Sequence, residues 1–311
     1  MEGAVQKVRC EHIDIAKGIG ILLVIDLHCN WHPDVGTAFE MPLFFLLSGI
    51  FVNVAKPGFL KQKVNTLLVP AFFCYLPIVL YCVLYSIKSG MPLMECFQKS
   101  SIPTALWFLF SLFQIHVIAY VLTNNRWRHL QLAAFLALSV AGYLLSYYDV
   151  PSYWFLNTSI FCSFYYFLGM YFKDKLKKYN TSKETSLLVG ASLLAVCCAL
   201  YYWADPYIFY RNNELDGNYF VVVVCAITGS LGIVYLSQLL INCGIIKRAL
   251  LFYGQNSLII LCVHLYLIKV LTQFSHVGWI NFLITVVLMY PTCIICRKYL
   301  PVVFGVKPLF K

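Results

Sequence analysis

Long apolar stretches separated by short polar ones run along the whole chain. Most of the apolar stretches are continuous and near 20 residues long, unlike the alternating ten-residue strands of a membrane β-barrel. An α-helix needs about 20 apolar residues to cross a bilayer. The pattern therefore predicts an all-α, polytopic integral membrane protein with about ten transmembrane helices, at about 13–33, 40–55, 66–86, 105–123, 129–147, 155–172, 185–204, 217–240, 254–274 and 278–297.

The composition supports this fold class. Hydrophobic residues make up 61% of the chain and charged residues only 12%, whereas soluble domains carry about 25% charged residues. So little polar surface cannot cover a water-soluble globule, and the apolar side chains are expected to face lipid. The second and sixth stretches are short for a full crossing, so we expect neighbouring helices to bury them or the membrane to deform around them. No repeat or shift in composition divides the chain into domains.

Basic residues divide unevenly between the two sides of the membrane when the ten spans are counted off. Eighteen of the 23 Lys and Arg residues fall on one side, three on the other (Lys88, Lys99 and Arg211), and Lys17 and Lys269 lie within spans. Cytoplasmic loops carry the excess of Lys and Arg. We therefore predict a multi-pass protein of the cytoplasmic membrane with both termini cytoplasmic. The net charge of +10 then reflects topology and implies no binding of nucleic acid.

The first predicted span carries ionisable side chains that a lipid-facing helix would not hold. Asp14, Lys17, Asp26 and His28 all lie within it, and a charged side chain near the bilayer centre costs about 2.5–3.5 kcal/mol. Lys17 and His28 are eleven residues apart, on one helix face and about 16 Å apart along the axis. Asp14 lies one turn from Lys17, where an ion pair can form. A cation at the cytoplasmic mouth could hold phosphates, and a neutral imidazole in the outer half could act as a base.

Simpler interpretations of the same residues stay open. Lys17 can extend its ammonium group to the cytoplasmic interface, with Asp14 neutralising its charge. His28 can be a buried histidine that is hydrogen-bonded to a neighbouring helix. The functional interpretation requires both ends of the helix face to act together.

Five segments, in order from about residue 12 to 275, form a recognisable set. They are Asp14-x-x-Lys17-x10-His28, Met41-Pro-Leu-Phe-Phe-Leu-Leu-Ser48-Gly49, Ala105-Leu-Trp107-Phe-Leu, Phe167-Leu-Gly169, and Gly254-Gln-Asn256-Ser257-Leu with His264. This set resembles the acyltransferase-3 family of membrane O-acyltransferases, and most closely its fucose 4-O-acetylase-like branch. The chain departs from the family pattern at Glu40, where members often have histidine. Only Lys61 and Lys63 represent the usual basic pair after the second helix.

The resemblance implies a single acyltransferase-3-like transmembrane domain over residues 1–311. Such a domain would move an acetyl group from the co-substrate acetyl-CoA, on the cytoplasmic side, to a sugar hydroxyl of a cell-surface or lipid-linked glycan. His28 is then the expected general base, or the nucleophile of an acetyl-imidazole intermediate. Lys17, together with Asp14, is expected to hold the donor phosphates. The implied substrate-binding residues are Glu40, Trp107, His264 and Asn256.

Several of these assignments have structural alternatives. His264 can make a structural hydrogen bond, and Asn256 with Ser257 fits the N-cap region of a helix. Trp107 can belong to the interfacial aromatic belt or to internal packing. For Ser48-Gly49 we predict close helix packing and not a nucleophilic serine, because small residues let helices approach.

Two other classes of protein fit part of the pattern. A transporter of a small polar solute or a lipid-linked sugar would also hold intramembrane Asp and His residues, although the chain shows no inverted repeat. A metalloenzyme could use His28 and His32, at i and i+4, with Asp34 or Glu40 as a further ligand. Pro33 indicates that the helix ends near these residues, and we expect no metal.

Overall fold

The computed structural model describes residues 10–31, 34–93, 95–96, 105–123, 130–178 and 181–310. Within these ranges the protein is almost entirely helical, with one two-stranded antiparallel sheet. The helices are α1 (Glu11–His28), α2 (Glu40–Ile50), α3 (Phe59–Lys63), α4 (Val69–Ser89), α5 (Trp107–Thr123), α6 (Gln131–Tyr147), α7 (Leu156–Tyr171), α8 (Lys173–Lys178), α9 (Lys183–Ala204), α10 (Tyr219–Leu239), α11 (Gly244–Gln255), α12 (Ser257–Leu271) and α13 (Gly278–Tyr299), and the strands are β1 (Tyr207–Phe209) and β2 (Glu214–Asp216). Each of the ten predicted spans overlaps with one of these helices, although α1 and α2 end about five residues before the predicted ends of their spans.

The lengths of the helices bear on how many of them cross a membrane. Among the described residues, four helical segments are long and apolar enough, namely Phe59–Ser89, Lys183–Ala204, Tyr219–Asn242 and Gly278–Tyr299. Helices α11 and α12 meet at 85° and give a fifth if they count as one broken span. Helix α2 has 11 residues and α7 has 16. Both are shorter than the about 20 residues that a helix needs to cross a bilayer fully. The helical membrane class is confirmed. Ten crossings and cytoplasmic termini stay predictions, and residues 1–9 and 311 lie outside the described ranges.

Helix α1 lies at the centre of the helical assembly. It packs against α2, α10, α11, α12 and α13, and Ile13, Ile21 and Ile25 on it are fully buried. Because protein and not lipid surrounds most of its length, α1 can carry Asp14, Lys17 and Asp26 without exposing them to hydrocarbon.

Helices α2 and α7 cross in direct backbone contact because each has a glycine at the crossing. A Cβ atom on Gly49 would overlap the carbonyl oxygen of Tyr166, and one on Gly169 would overlap that of Leu46. Small residues let transmembrane helices approach in this way. The predicted packing role of Ser48-Gly49 is therefore confirmed. All but one residue of the short helix α2 is buried, as expected for a stretch too short to span alone.

Loops that the charge count assigns to the same side of the membrane meet in the structure. On the predicted outer side, the β1–β2 hairpin packs against the end of α6, where Leu215 N donates to Ser146 Oγ at 2.8 Å. On the predicted cytoplasmic side, Lys247 Nζ lies 2.8 Å from Glu11 Oε2. The hairpin therefore has a fixed position beside the helices, close to the end of α1 that carries His28.

Candidate active site

A cavity of about 340 Å³ opens at the predicted outer end of α1. It lies between the last turn of α1, the 3₁₀ turn Asp34–Ala38, the first turns of α2 and α5, and the hairpin. Its volume falls within the range of about 300–1,000 Å³ that is usual for small-molecule sites. Its polar and aromatic lining includes His28, Thr37, Glu40, Trp107, Tyr210 and Arg211.

The imidazole of His28 lines this cavity with one ring nitrogen already engaged. Its Nδ1 lies 2.7 Å from the carbonyl oxygen of Val24, one helical turn earlier. A carbonyl oxygen can only accept, so Nδ1 carries the proton and Nε2 of the neutral ring keeps a lone pair. The side chain is exposed in the cavity. This is the tautomer in which an imidazole can accept a proton from a hydroxyl group.

The ring of His264 packs against that of His28. The two ring centroids are 5.2 Å apart and the planes are nearly perpendicular. His264 is fully buried, and its own Nδ1 donates to the carbonyl oxygen of Ile260 at 2.7 Å. The side chain thus holds the orientation of the His28 ring and makes the structural hydrogen bond considered above. Its contact with substrate stays a prediction.

Glu40 and Trp107, two of the predicted substrate-binding residues, both line the cavity. The Glu40 side chain is 9% exposed, and its Oε2 has no hydrogen-bond partner among the described residues. A buried acceptor without a partner is costly, so Glu40 is placed to accept a hydrogen bond from a hydroxyl group in the cavity. Trp107 is mostly buried, and its ring centroid lies 6.3 Å from that of Phe155. It forms an aromatic wall.

The hairpin contributes two cavity residues that the sequence did not single out. Tyr210, in the turn of the hairpin, is buried, and its hydroxyl donates to the carbonyl oxygen of Ala38 at 2.9 Å. Burial raises the pKa of Tyr210 well above its ordinary value, which keeps the hydroxyl a neutral donor. Arg211 follows directly and lines the cavity, and its Nε is buried without a hydrogen-bond partner among the described residues. The cavity thus holds a guanidinium group beside a histidine and a carboxyl group.

The N-terminal half of α1 carries Lys17, and a second lysine that the sequence did not single out lies near it. Lys17 Nζ lies 3.8 Å from Asp14 Oδ1, which confirms the predicted ion pair. The same ammonium group lies 4.7 Å from the centre of the Phe51 ring. Lys177 Nζ of α8 lies 5.2 Å from the centre of that ring. Two ammonium groups therefore flank one aromatic ring, and we call Lys17, Lys177 and Phe51 the lysine pair site.

The family model of the acyltransferase-3 family, which describes an acyltransferase domain, matches residues 11–298, nearly the whole chain. The protein belongs to the acyltransferase-3 family. The resemblance inferred from the five segments is thereby confirmed at the level of the family. A comparison with curated proteins and with solved structures gave no match. Family membership indicates a membrane acyltransferase with an acyl donor and an acceptor, and it does not favour the transporter alternative.

In this acyltransferase, Asn256 lies away from the cavity, at the 85° bend between α11 and α12. Its Nδ2 donates to the carbonyl oxygen of Phe252 at 2.7 Å, and its Oδ1 accepts from Arg297 Nη1 at 3.3 Å. The side chain makes no N-cap hydrogen bond to α12. These contacts fix the bend, and a role of Asn256 in substrate binding stays a prediction.

The metal alternative relied on His32, which lies outside the described residues. In the part of the acyltransferase that the structure describes, no group of three His, Cys, Asp or Glu side chains could hold a metal ion. Two of the side chains named in the metal alternative, His28 and Glu40, line the same cavity.

Proposed function

We propose that the protein transfers an acetyl group from acetyl-CoA to a hydroxyl of a cell-surface or lipid-linked glycan, as in the fucose 4-O-acetylase-like branch of its family. The observation that carries the proposal is the state of His28. Its Nδ1 is held as a donor by Val24, so Nε2 is the basic nitrogen of a ring that lines the cavity. Glu40, Trp107 and Arg211 line the same cavity and supply an acceptor, an aromatic wall and a cation.

In the proposed reaction His28 is the general base. Its Nε2 takes the proton of the sugar hydroxyl while the sugar oxygen bonds to the carbonyl carbon of the thioester. The carbon–sulfur bond then breaks, and the thiolate of coenzyme A takes the proton back from the imidazolium. Arg211 is the candidate donor to the negatively charged oxygen that develops on the thioester carbonyl. Glu40 accepts a hydrogen bond from another hydroxyl of the acceptor.

The donor is proposed to enter at the lysine pair site. Lys17 and Lys177 place two ammonium groups beside one ring, with the Asp14 carboxylate 3.8 Å from Lys17. The excess of positive charge attracts the phosphates of acetyl-CoA. Lys17 and His28 are eleven residues apart in the single helix α1, a rise of about 16 Å. The extended arm of the donor can cover such a distance, so that its thioester reaches His28.

This arrangement requires the topology predicted from charge. We propose ten spans in the cytoplasmic membrane, with both termini and the lysine pair site cytoplasmic and the cavity toward the outside. Reporter fusions test it, because a cytoplasmic reporter and an exported one are active on opposite sides. Fusions near 60, 127, 178 and 247 should score cytoplasmic, and those near 36, 95 and 210 external. Two consecutive loops on one side would contradict the ten spans.

The activity itself is tested by incubating membranes that contain the protein with radiolabelled acetyl-CoA. Label should enter lipid-linked or surface glycan and should be released by mild alkali, as an ester is. Membranes with the His28→Gln variant at equal abundance are the control. Equal glycan labelling in both preparations would contradict the proposal. Label bound to the protein after acetyl-CoA alone would replace direct transfer by the acetyl-imidazole route.

A further inference from the structure

A second cleft, which we call the outer cleft, lies next to the catalytic cavity. It has a volume of about 660 Å³ and is formed by the end of α6, the loop that follows it, and the second half of the hairpin. Its lining includes Tyr147, Asp149, Asn212, Asn213, Glu214 and Asp216. Family membership and the sequence motifs assign no role to any of these residues.

The chemistry of the outer cleft is that of a hydrogen-bond acceptor surface. Three carboxyl groups line it, from Asp149, Glu214 and Asp216, and no basic residue is among the described residues of its lining. Carboxylates only accept hydrogen bonds, and each can accept several. The side chain of Tyr147 is exposed at the edge of the cleft and offers an aromatic face. Such a surface suits a ligand rich in hydroxyl groups and repels one that carries negative charge.

An independent observation concerns Asn213, which is only 4% exposed. Its Nδ2 donates to the carbonyl oxygen of Gly142 at 2.9 Å, and this bond fixes the side chain. Its Oδ1 has no hydrogen-bond partner among the described residues. Buried polar atoms in folded proteins are almost always paired. An unpaired amide oxygen in the lining of the cleft therefore points to a donor supplied by a ligand.

The outer cleft and the catalytic cavity are adjacent along the chain. Residues 208–211 of the hairpin line the cavity, and residues 212–217 line the cleft. Arg211 and Asn212 are consecutive, so their Cα atoms are about 3.8 Å apart. The cavity and the cleft therefore share the hairpin as a common wall. In the part of the chain that the structure describes, no group of three His, Cys, Asp or Glu side chains is arranged to hold a metal ion.

We propose that the outer cleft is a second sugar subsite, which binds neighbouring residues of a neutral glycan while one residue of that glycan reacts in the cavity. This inference rests on the proposed function, and it makes the acceptor an oligosaccharide or polysaccharide chain of low negative charge. The cleft binds through Asp149, Glu214 and Asn213, which accept hydrogen bonds from sugar hydroxyls.

The test measures binding in the absence of acetyl-CoA. The probes are neutral mono-, di- and tetrasaccharides released by mild acid from the surface glycan of the producing cell, labelled with tritium at the reducing end. Equilibrium dialysis against the purified full-length protein in detergent gives each Kd. Wild type should bind the tetrasaccharide at least tenfold more tightly than the monosaccharide, since hydrogen bonds to charged groups have effects of roughly this size.

Asp149→Gly and Glu214→Ala should each abolish most of this preference, so that the ratio of the two Kd values falls by about tenfold. Asp149 has a φ of 50°, a conformation that glycine adopts without strain. Asp205 is the matched control, because it is an outer-loop aspartate with a φ of 43° that does not line the cleft. The Asp205→Gly variant should keep the wild-type ratio.

Two results would overturn the subsite. One is a wild-type protein that binds mono- and tetrasaccharides equally or binds neither, and the other is an equal loss for both probes in the Asp149 and Glu214 variants. Failure of the proposed function looks different. If no oligosaccharide is acetylated by wild type but tetrasaccharide binding still depends on Asp149, the subsite stands and the acetyl transfer does not.

Discussion

Removal of the Lys17 ammonium group should weaken the binding of acetyl-CoA and leave the chemical step intact. Lys17→Ala takes away one of the two cations beside Phe51. A hydrogen bond to a charged group contributes about 1.5–3 kcal/mol. The Lys17 side chain is 25% exposed, so solvent screening favours the lower end of this range. We expect the KM for acetyl-CoA to rise about tenfold, with little change in kcat. Lys17→Arg should keep much of the affinity, because it keeps the charge.

The assay is the initial rate of label transfer at varied acetyl-CoA concentration and fixed acceptor. Lys247→Ala is the matched control, since Lys247 is also ion-paired on the predicted cytoplasmic side and its side chain is 26% exposed. If Asp14 serves only to pair with Lys17, the double variant Asp14→Asn/Lys17→Ala should be less harmful than the two single effects added together. A Lys17→Ala protein with the wild-type KM would refute the donor site and leave the simple interfacial interpretation of Lys17.

Two further predictions concern the cavity and the helix crossing. Arg211→Met should lower kcat by about 10²–10³-fold, the usual loss for an oxyanion donor, while the KM for acetyl-CoA stays near wild type. An unchanged kcat in initial-rate assays would remove Arg211 from the reaction. Gly49→Val should lower the free energy of unfolding by about 1–3 kcal/mol, because the new valine side chain would overlap the Tyr166 backbone. An unchanged Tm in a thermal unfolding scan would show that α2 and α7 can separate at little cost.

The linear motifs predicted the parts of the site that lie within one helix. The spacing of Lys17 and His28 depends only on helical geometry, and α1 is one unbroken helix over both residues. Apolar length likewise predicted where the helices are, because burial in lipid or protein requires continuous apolar sequence. The glycine of the Ser48-Gly49 pair indicated the close crossing because only a small side chain permits it.

The other features of the site depend on contacts between residues far apart in the chain, which no local sequence pattern indicates. The hydroxyl of Tyr210 is hydrogen-bonded to the carbonyl oxygen of Ala38, 172 residues earlier in the chain. This contact holds the hairpin at the cavity, and the next residue, Arg211, lines it. In the sequence Arg211 was only one of three basic residues on the outer side. Asn256 resembles a family motif residue, yet it lies at a bend of 85° between α11 and α12 and does not line the cavity. Such a bend follows from packing against α1, where Gly254 meets the backbone of Asp14.

The central claim is that Nε2 of His28 takes the proton of the acceptor hydroxyl. Its most direct test is the kcat of His28→Gln, with the amount of folded protein measured in the same preparation. Glutamine keeps the hydrogen-bonding capacity of the side chain but cannot take up a proton at neutral pH. His116→Gln is the matched control, because His116 Nδ1 also donates to the carbonyl one turn earlier, at 2.6 Å, and His116 does not line the cavity.

A general base typically contributes about 10²–10⁴-fold. We therefore predict that His28→Gln lowers kcat by that factor while the KM for acetyl-CoA and the folded fraction stay near wild type. His116→Gln should keep the wild-type kcat per folded molecule. His264→Gln should show a smaller loss than His28→Gln, because His264 contacts the His28 ring and is hydrogen-bonded to the Ile260 carbonyl oxygen. A His28→Gln protein that folds and turns over at the wild-type rate would contradict the assignment of His28 as the base.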